Sequence, residues 1–371
     1  MENAKFYKFQ EFALKLKNSF EDLMGNGTKE HIAANHYNDF LLASDVGGTN
    51  TSFGLIGIKK KNPFLLSSMH CRTAGLSSYY SAMREALEIF SENHRIKITK
   101  GCIAVAGTIT ATRDKVKMTN AGIEIDKKRL IRIAKLKKIS FLNDFEAIGY
   151  SINVLKLQDF RTIRKGRKLS RHPAVVIGAG TGLGKTGVIF NESLGCYTPL
   201  ASESGHWDFP AETEIELGLA KFIKRSRKID HVSYEDVLSH RGIINIFDFL
   251  KSKKTFKETN YTREVKKSAE QPEMISKFRK KDRMCQKTFE IFRKNYAKFA
   301  RNCAIDFLAY GGVYIAGGIG RKNPDIFDDK FIKEFEDNST MSKVLKSIPI
   351  YLITNPDSGI LGAGYFGARF L

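Results

Sequence analysis

The sequence predicts an α/β protein made of two related halves, and two observations carry that prediction. Apolar runs of strand length alternate with stretches whose apolar residues recur at helical spacing. One local pattern also occurs twice: an apolar strand enters a glycine-rich tip and leaves as a second strand, once around Gly47 and once around Gly180. A duplicated glycine hairpin implies two halves facing one cleft. A chain of 371 residues is long enough for two domains, each with a buried core.

Residues 1–39 read as an N-terminal helical extension. Phe6, Phe9, Phe12, Leu14 and Leu16 interleave with charged residues, and Gly25-Asn26-Gly27 breaks the run. A helix lying on a membrane surface is the alternative, but the acidic residues on it favour a helix that caps the fold. The first strand covers 40–45, the tip is Val46-Gly47-Gly48-Thr49-Asn50, and 52–58 forms the return strand. Tyr80, Met83, Leu87 and Phe90 place a helix over 77–93. A strand at 101–106 and a helix at 127–136 follow. The strand 138–142 delivers Asn143 and Asp144 at its C-terminal end, and a helix begins at Phe145. The basic stretch 156–171 reads as a surface loop. The opening pattern then recurs: strand 174–177, glycine tip 178–184, strand 186–190. Beyond residue 212 the chain reads as mainly helical, with a charged helical insertion near 251–283. A strand at 311–316 ends in Gly317-Gly318, a last strand covers 348–353, and Gly359 opens a closing helix.

Composition is ordinary for a globular protein, with 42% hydrophobic and 27% charged residues. No apolar stretch reaches 18 residues, so no membrane span is expected. Five scattered cysteines, without metal-site spacing, fit a reducing, cytoplasmic setting. The net charge of +21 gathers at 161–171, 221–228 and 251–283. These runs carry few aromatics and no nucleic-acid motif accompanies them, so a nucleic-acid partner is not expected. Anionic substrates or a lysine-rich background account for the excess.

Five features carry candidate chemistry. In the first tip, Gly47 and Gly48 let backbone N–H groups approach phosphate oxygens, Thr49 adds a hydroxyl, and Asp45 can hold Mg²⁺ through water. A plain tight hairpin explains the same residues. In the second tip, Gly180, Thr181 and Gly182 form an equivalent phosphate cradle. Asp144 at a strand end suits a general base for a hydroxyl group, and Asn143 a hydrogen-bonding neighbour. A helix N-cap is the competing explanation for both. Glu203, His206 and Glu235 have the donors and acceptors that sugar hydroxyls need. Zinc is the rival ligand, although no cysteine follows His206 closely, and Glu235 also reads as an acid at a helix start. Gly317-Gly318 can admit a nucleotide base or ribose, or form an ordinary turn.

Taken together, these segments resemble the bacterial-type glucokinase family within the hexokinase, Hsp70 and actin fold group. The resemblance rests on SDVGGTN (44–50), GCIAVAGTIT (101–110), MTN (118–120), FLNDFEA (141–147), GAGTGLG (178–184), SESGHWDF (202–209), HVSYEDVLS (231–239), GGVYIAGGI (311–319) and GILGAG (359–364), in that order. It implies a two-domain actin-like ATPase (ribonuclease H-like) fold with a cleft between a small domain, 40–153 plus 357–371, and a large domain, 154–356. It also implies ATP with Mg²⁺ as cofactors, glucose as substrate and a homodimer. The catalytic base falls on Asp144 and the sugar ligands on Asn120, Asn143, Asp144, Glu203, His206 and Glu235. Nucleotide contacts fall on Asp45, Gly47, Gly48, Thr49, Gly180, Thr181, Gly182, Gly317 and Gly318. The chain departs from the family pattern at Ser44, after Asn120, and at Ser239-His240-Arg241-Gly242, where the family carries SGPG. The cysteine-rich zinc motif of the related ROK kinases does not occur, so His206 is expected to face sugar. Alternatives are a kinase for another hexose or an amino sugar, or a non-catalytic sugar-sensing regulator. ADP and polyphosphate remain alternative phosphoryl donors.

Overall fold

The structure is a computed structural model that describes residues 36–76, 78–118 and 124–371. The extension up to residue 35 and Asn120 lie outside the described residues. The chain divides into two compact units, one running to Val154 and resuming with Asp357–Leu371, the other Leu155–Pro356.

In the first unit the strands are β1 (Asp39–Val46), β2 (Asn50–Lys59), β3 (Asn62–Arg72), β4 (Lys100–Val105), β5 (Gly107–Ile109), β6 (Lys115–Met118), β7 (Glu124–Asp126) and β8 (Lys138–Asn143). Five form one sheet in the order β3-β2-β1-β4-β8, and β5-β6-β7 form a small second sheet. β1 pairs antiparallel with β2 but parallel with β4, and β4 parallel with β8. Both faces of the large sheet are covered, so its strands are apolar on both sides of the pleat. Phe40, Leu42, Val46, Ile103 and Val105 pack with Met83, Leu87, Phe90 and Leu130 from the helices Tyr79–His94 and Lys127–Ala134. The alternate residues Leu41, Ala43, Cys102 and Ala104 pack with Ala147, Ile360 and Ala363, from the helices Asp144–Ser151 and Ser358–Phe370.

The second unit repeats this plan. Its strands are β9 (Phe160–Arg164), β10 (Ala174–Ala179), β11 (Leu183–Asn191), β12 (Cys196–Leu200), β13 (Gly312–Ala316) and β14 (Ile350–Ile353), in the order β12-β11-β10-β13-β14-β9. β10–β11 and β11–β12 are antiparallel, whereas β10–β13 and β13–β14 are parallel. Both glycine tips therefore join a central parallel strand to its antiparallel neighbour. A single large core, with Val175, Ile177, Val313 and Ile315 from the sheet, packs against the helices Arg283–Phe307 and His240–Ser252.

The stretch 156–171 is not simply a loop. Its first part forms β9, which adds antiparallel to β14 at the sheet edge. The basic residues hide the strand signal, but Phe160 packs its ring, tilted, against Tyr314 and Tyr351, with centroids 5.5 and 6.0 Å away. Arg164 donates to Glu336 and to the Ile348 carbonyl, so its charge is paired instead of solvated. Charged residues on an edge strand also discourage further strand pairing.

One close approach fixes the first unit. A Cβ at Gly362 would lie 1.6 Å from the backbone oxygen of Ala147, so the closing helix crosses the Asp144–Ser151 helix at backbone contact. Gly362→Ala is therefore expected to lower stability by about 1–3 kcal/mol, the cost of overpacking a close-packed interior. Gly180→Ala, where an added Cβ meets nothing within 4 Å, should change stability by less than about 0.5 kcal/mol. Urea midpoints of the two variants check this, and equal midpoints would contradict the close crossing.

Candidate active site

In the first unit the candidate residues lie at one end of the large sheet. Val46 of β1 is level with Val105 of β4, and Val105 with Asn143 of β8. Neighbouring strands are about 4.8 Å apart, so the Gly47 tip and the Asn143-Asp144 junction stand roughly 10 Å apart, both at carboxyl ends of parallel strands. Ligands of open α/β sheets bind at such ends.

The tip Gly47–Thr49 is closed by the Gly47 N–H donating to the Asn50 carbonyl at 2.9 Å. Buried Thr73 braces it from outside: its hydroxyl donates to the Gly47 carbonyl at 2.7 Å and its N–H to the Thr49 carbonyl at 2.9 Å. Sequence reading missed Thr73, because nothing local to it signals that β3 returns beneath the tip. Asp45 is half-buried on the sheet face covered by the closing helix. A Cβ at Gly359 would lie 2.2 Å from its carboxylate oxygen, which explains a glycine in that helix's first turn. Burial, and then the charge of Asp357, push the Asp45 carboxyl up to about 6.

At the β8 exit, Asn143 caps the helix Asp144–Ser151. Its side-chain oxygen accepts from the Phe145 N–H at 2.9 Å, and the Glu146 carboxylate accepts from the Asn143 N–H at 2.9 Å. This reciprocal box puts Asp144 on the first helical residue. The helix-cap explanation thus holds for Asn143. Arg113 locks the junction by donating to Glu146 at 2.6 Å and to the Phe141 carbonyl at 3.1 Å. Its role was invisible in sequence, 33 residues away from its partner Glu146.

In the second unit three distant segments meet around the second glycine tip. The tip is closed by the Gly180 N–H donating to the Gly182 carbonyl at 2.8 Å. The Leu183 N–H donates to Glu235 at 3.0 Å, and a Cβ at Gly182 would sit 2.6 Å from the same carboxylate oxygen. A Cβ at Gly205 would lie 2.1 Å from the Leu183 carbonyl oxygen, so the 3₁₀ turn Ser204–His206 rests directly on the tip's exit. The Tyr234 N–H donates to the Trp207 carbonyl, joining that turn to the 3₁₀ turn Tyr234–Asp236, and the His240 N–H donates to the Gly180 carbonyl, both at 2.9 Å. Glu203 and His206 stand 4.0 Å apart with side chains 68% and 57% exposed. Glu235 is only 16% exposed and is also paired with Arg241. Burial and the charge of Lys322 hold the His240 imidazole below its ordinary range.

Gly317 takes φ +89°, and a Cβ there would sit 2.6 Å from the Ala179 carbonyl oxygen. Gly317 therefore abuts the second tip, and Gly318 faces open space. The tip continues as Gly184-Lys185-Thr186, the ending of a Walker-type loop, but a strand follows it instead of a helix. Lys185 turns inward, 2.5 Å from Asp306 and over the rings of Trp207 and Phe307. It anchors the turn below Trp207, its charge already paired with Asp306.

Among the described residues no group of three or more His, Cys, Asp or Glu could hold a metal ion. A Mg²⁺ ion would take most of its ligands from water and phosphate, with Asp45 nearby as a hard oxygen donor. A carboxylate destabilised by burial and by a like charge fits that role, because a cation relieves both.

The sequence model of the glucokinase family matches residues 42–369. A glucokinase of Nostoc punctiforme is 34% identical over 89% of this chain and 99% of its own length. The crystal structure of a glucokinase from an Antarctic psychrotroph shares 25% identity and a TM-score of 0.72, covering 89% of this chain and 98% of that one. A ROK family glucokinase from Streptomyces griseus, solved with glucose and AMPPNP, shares 17% identity and a TM-score of 0.61, covering 88% and 99%. The two-domain actin-like ATPase fold read from the sequence is thereby established, and the chain belongs to the glucokinase family.

Proposed function

We propose that this protein transfers the γ-phosphoryl group of ATP to the 6-hydroxyl of glucose. The observation that carries the reading is the meeting, within one unit, of a glycine tip suited to phosphate with carboxylate and imidazole side chains suited to sugar hydroxyls. Phosphoryl transfer needs little covalent chemistry from the protein, and positioning with charge stabilisation supplies most of the rate. In this reading Asp144 accepts the hydroxyl proton and aims the oxygen at phosphorus. Asn143, Glu203, His206 and Glu235 hold the ring hydroxyls, with Asn120 as a further ligand. Backbone N–H groups of Gly47, Gly48, Gly180 and Gly182, with the Thr49 and Thr181 hydroxyls, receive phosphate oxygens, and Gly317-Gly318 admits the nucleoside. Mg²⁺, when bound near Asp45, neutralises charge on the phosphates.

The reading places the protein in the cytoplasm, as a homodimer, with a product that enters glycolysis. Five free cysteines, four of them buried, support a reducing compartment. Among the described residues no helix is long and apolar enough to cross a membrane. The reading involves no nucleic-acid partner.

ADP release measured across a panel of hexoses and amino sugars, with ATP, ADP and polyphosphate as donors, tests the whole reading; glucose with ATP is the expected best pair. Asp144→Asn should lower kcat by about 10²–10⁴ while glucose still binds, the usual worth of a positioned base. Turnover near that of the parent would remove Asp144 from the chemistry. Glu203→Ala should raise the glucose KM by about tenfold or more, as loss of a hydrogen bond to a charged group implies, and an unchanged KM would take Glu203 out of the sugar shell.

Asp45 provides a pH test. Its carboxyl is raised from 3.8 to about 6 in the folded, metal-free protein. The folded state then holds more protons than the unfolded one between those values, so this group lowers stability as pH rises through that window. The full penalty, of the order of 2–3 kcal/mol, is present above pH 6. Asp45→Asn should raise the thermal midpoint of metal-free protein at pH 7.5, leave it unchanged at pH 4, and weaken Mg-ATP binding. Equal midpoint shifts at both pH values would contradict it.

A further inference from the structure

Glu235 sits in a set of contacts that a sugar ligand alone does not require. One carboxylate oxygen accepts from the Leu183 N–H at 3.0 Å, at the exit of the second glycine tip. The other accepts from Nη2 of Arg241 at 3.1 Å. The same nitrogen lies 3.4 Å from the Asp236 carboxylate, which Arg227 also binds and which accepts from the Ser233 N–H and hydroxyl at 3.0 Å. Two adjacent carboxylates thus share two guanidinium groups, and Arg241 alone touches both. Its Nε is buried without a hydrogen-bond partner, so its hold depends on the Nη2 contacts. The backbone under this cluster is rigid. The Ser239 hydroxyl donates to the Glu235 carbonyl at 2.7 Å and accepts from the Gly242 N–H at 3.0 Å, while the Asn245 amide donates to the Asp236 carbonyl at 2.8 Å. A Cβ at Gly242 would lie 2.3 Å from the Val237 backbone. The side chain of Glu235 is therefore the adjustable element, and Arg241 fixes it.

We propose that Arg241 is a positioning residue whose guanidinium holds Glu235 against the Leu183 N–H, so that one carboxylate both braces the second glycine tip and is presented, ready-oriented, to the sugar. The proposal rests on the reading of Glu235 as a sugar ligand, and its first half stands without it. Without Arg241, Glu235 is left beside Asp236 with no counter-charge of its own. Repulsion between the two then swings it off the tip. Nucleotide and sugar sites become linked through one side chain, so a change at either is felt at the other.

The test compares Arg241→Met and Arg241→Lys in the full chain by hydrogen exchange across 178–184 and by steady-state kinetics. In Arg241→Met, protection of the Leu183 amide is expected to fall at an unchanged thermal midpoint. The KM for glucose should rise about tenfold, the KM for ATP should rise as well, and kcat should move far less, because a weakened hydrogen bond to a charged group costs about this much in binding and the reacting atoms are not touched. Arg241→Lys should recover most of both effects, since a single nitrogen makes both carboxylate contacts. Glucose binding can be followed separately by the fluorescence of Trp207, the chain's one tryptophan, which adjoins His206. Undiminished protection of Leu183 in Arg241→Met overturns the proposal. So does a lysine variant as impaired as the methionine one, which would assign the effect to side-chain packing. If Arg241→Met does not fold, the lysine variant decides alone, its recovery of protection and KM being the supporting result. If the parent protein phosphorylates no glucose, the kinase reading fails, and the Leu183 amide still reports whether Arg241 holds the tip.

Discussion

The candidate site of the second unit depends on the backbone of Leu183. Its N–H is held by Glu235, and its carbonyl lies against Gly205, where no larger residue fits. Those two contacts draw together segments that are 52 residues apart in one case and joined through an intervening strand in the other. A glycine tip gains nothing from its own sequence that would fix its shape, because each glycine adds conformational freedom to the unfolded chain. The order must be imposed from outside, by a carboxylate on one side and a close-packed turn on the other. Once it is imposed, the N–H groups of the tip point in fixed directions, which a phosphate-binding loop requires before any ligand arrives.

The first unit solves the same problem with different atoms. Thr73 takes the place of Glu235 as the external brace, bonding the Gly47 carbonyl and receiving nothing charged into the tip. The base candidate Asp144 is held by the Asn143–Glu146 box and by Arg113 behind it. The carboxylate of Glu146 is buried, and Arg113 supplies the charge that makes its burial tolerable. In both units an arginine stands behind the carboxylate that fixes a functional segment. Arg113 belongs to no motif, and Arg241 stands out in the sequence only as a departure from the family's SGPG turn; the partner of neither could be read along the chain.

This sets the boundary of what the sequence made legible. Strand–glycine–strand patterns, helix periodicity and the ordered motifs need only neighbours in sequence, and Asp45 to Thr49, Asn143-Asp144 and the 178–184 tip could be located from them. The strand Phe160–Arg164 could not, because its basic residues carry the composition of a loop and its apolar partners Tyr314 and Tyr351 come from far downstream. Lys185 makes the converse point: a Gly-Lys-Thr ending would suggest a phosphate-binding role, but the side chain is committed to Asp306 and two aromatic rings. Local patterns specify backbone shape well. They do not specify where a long charged side chain ends, since that is decided by which opposite charge the tertiary fold brings within reach.

The three sugar-ligand candidates of the second unit differ in how far they are ordered in advance. Glu235 is nearly buried and bonded through both carboxylate oxygens, so little rotamer freedom remains for binding to remove. Glu203 and His206 rise from a turn whose backbone is fixed by Gly205, yet their side chains stay largely exposed. Immobilising such a side chain costs about 0.5–1.5 kcal/mol, which subtracts from affinity. In the proposed reading a rigid carboxylate sets the register of the ligand, and ordering of the two exposed groups is the part that binding must still supply. On that reading the pinned residue would govern which hydroxyl pattern is accepted, and the exposed pair how tightly an accepted sugar is held.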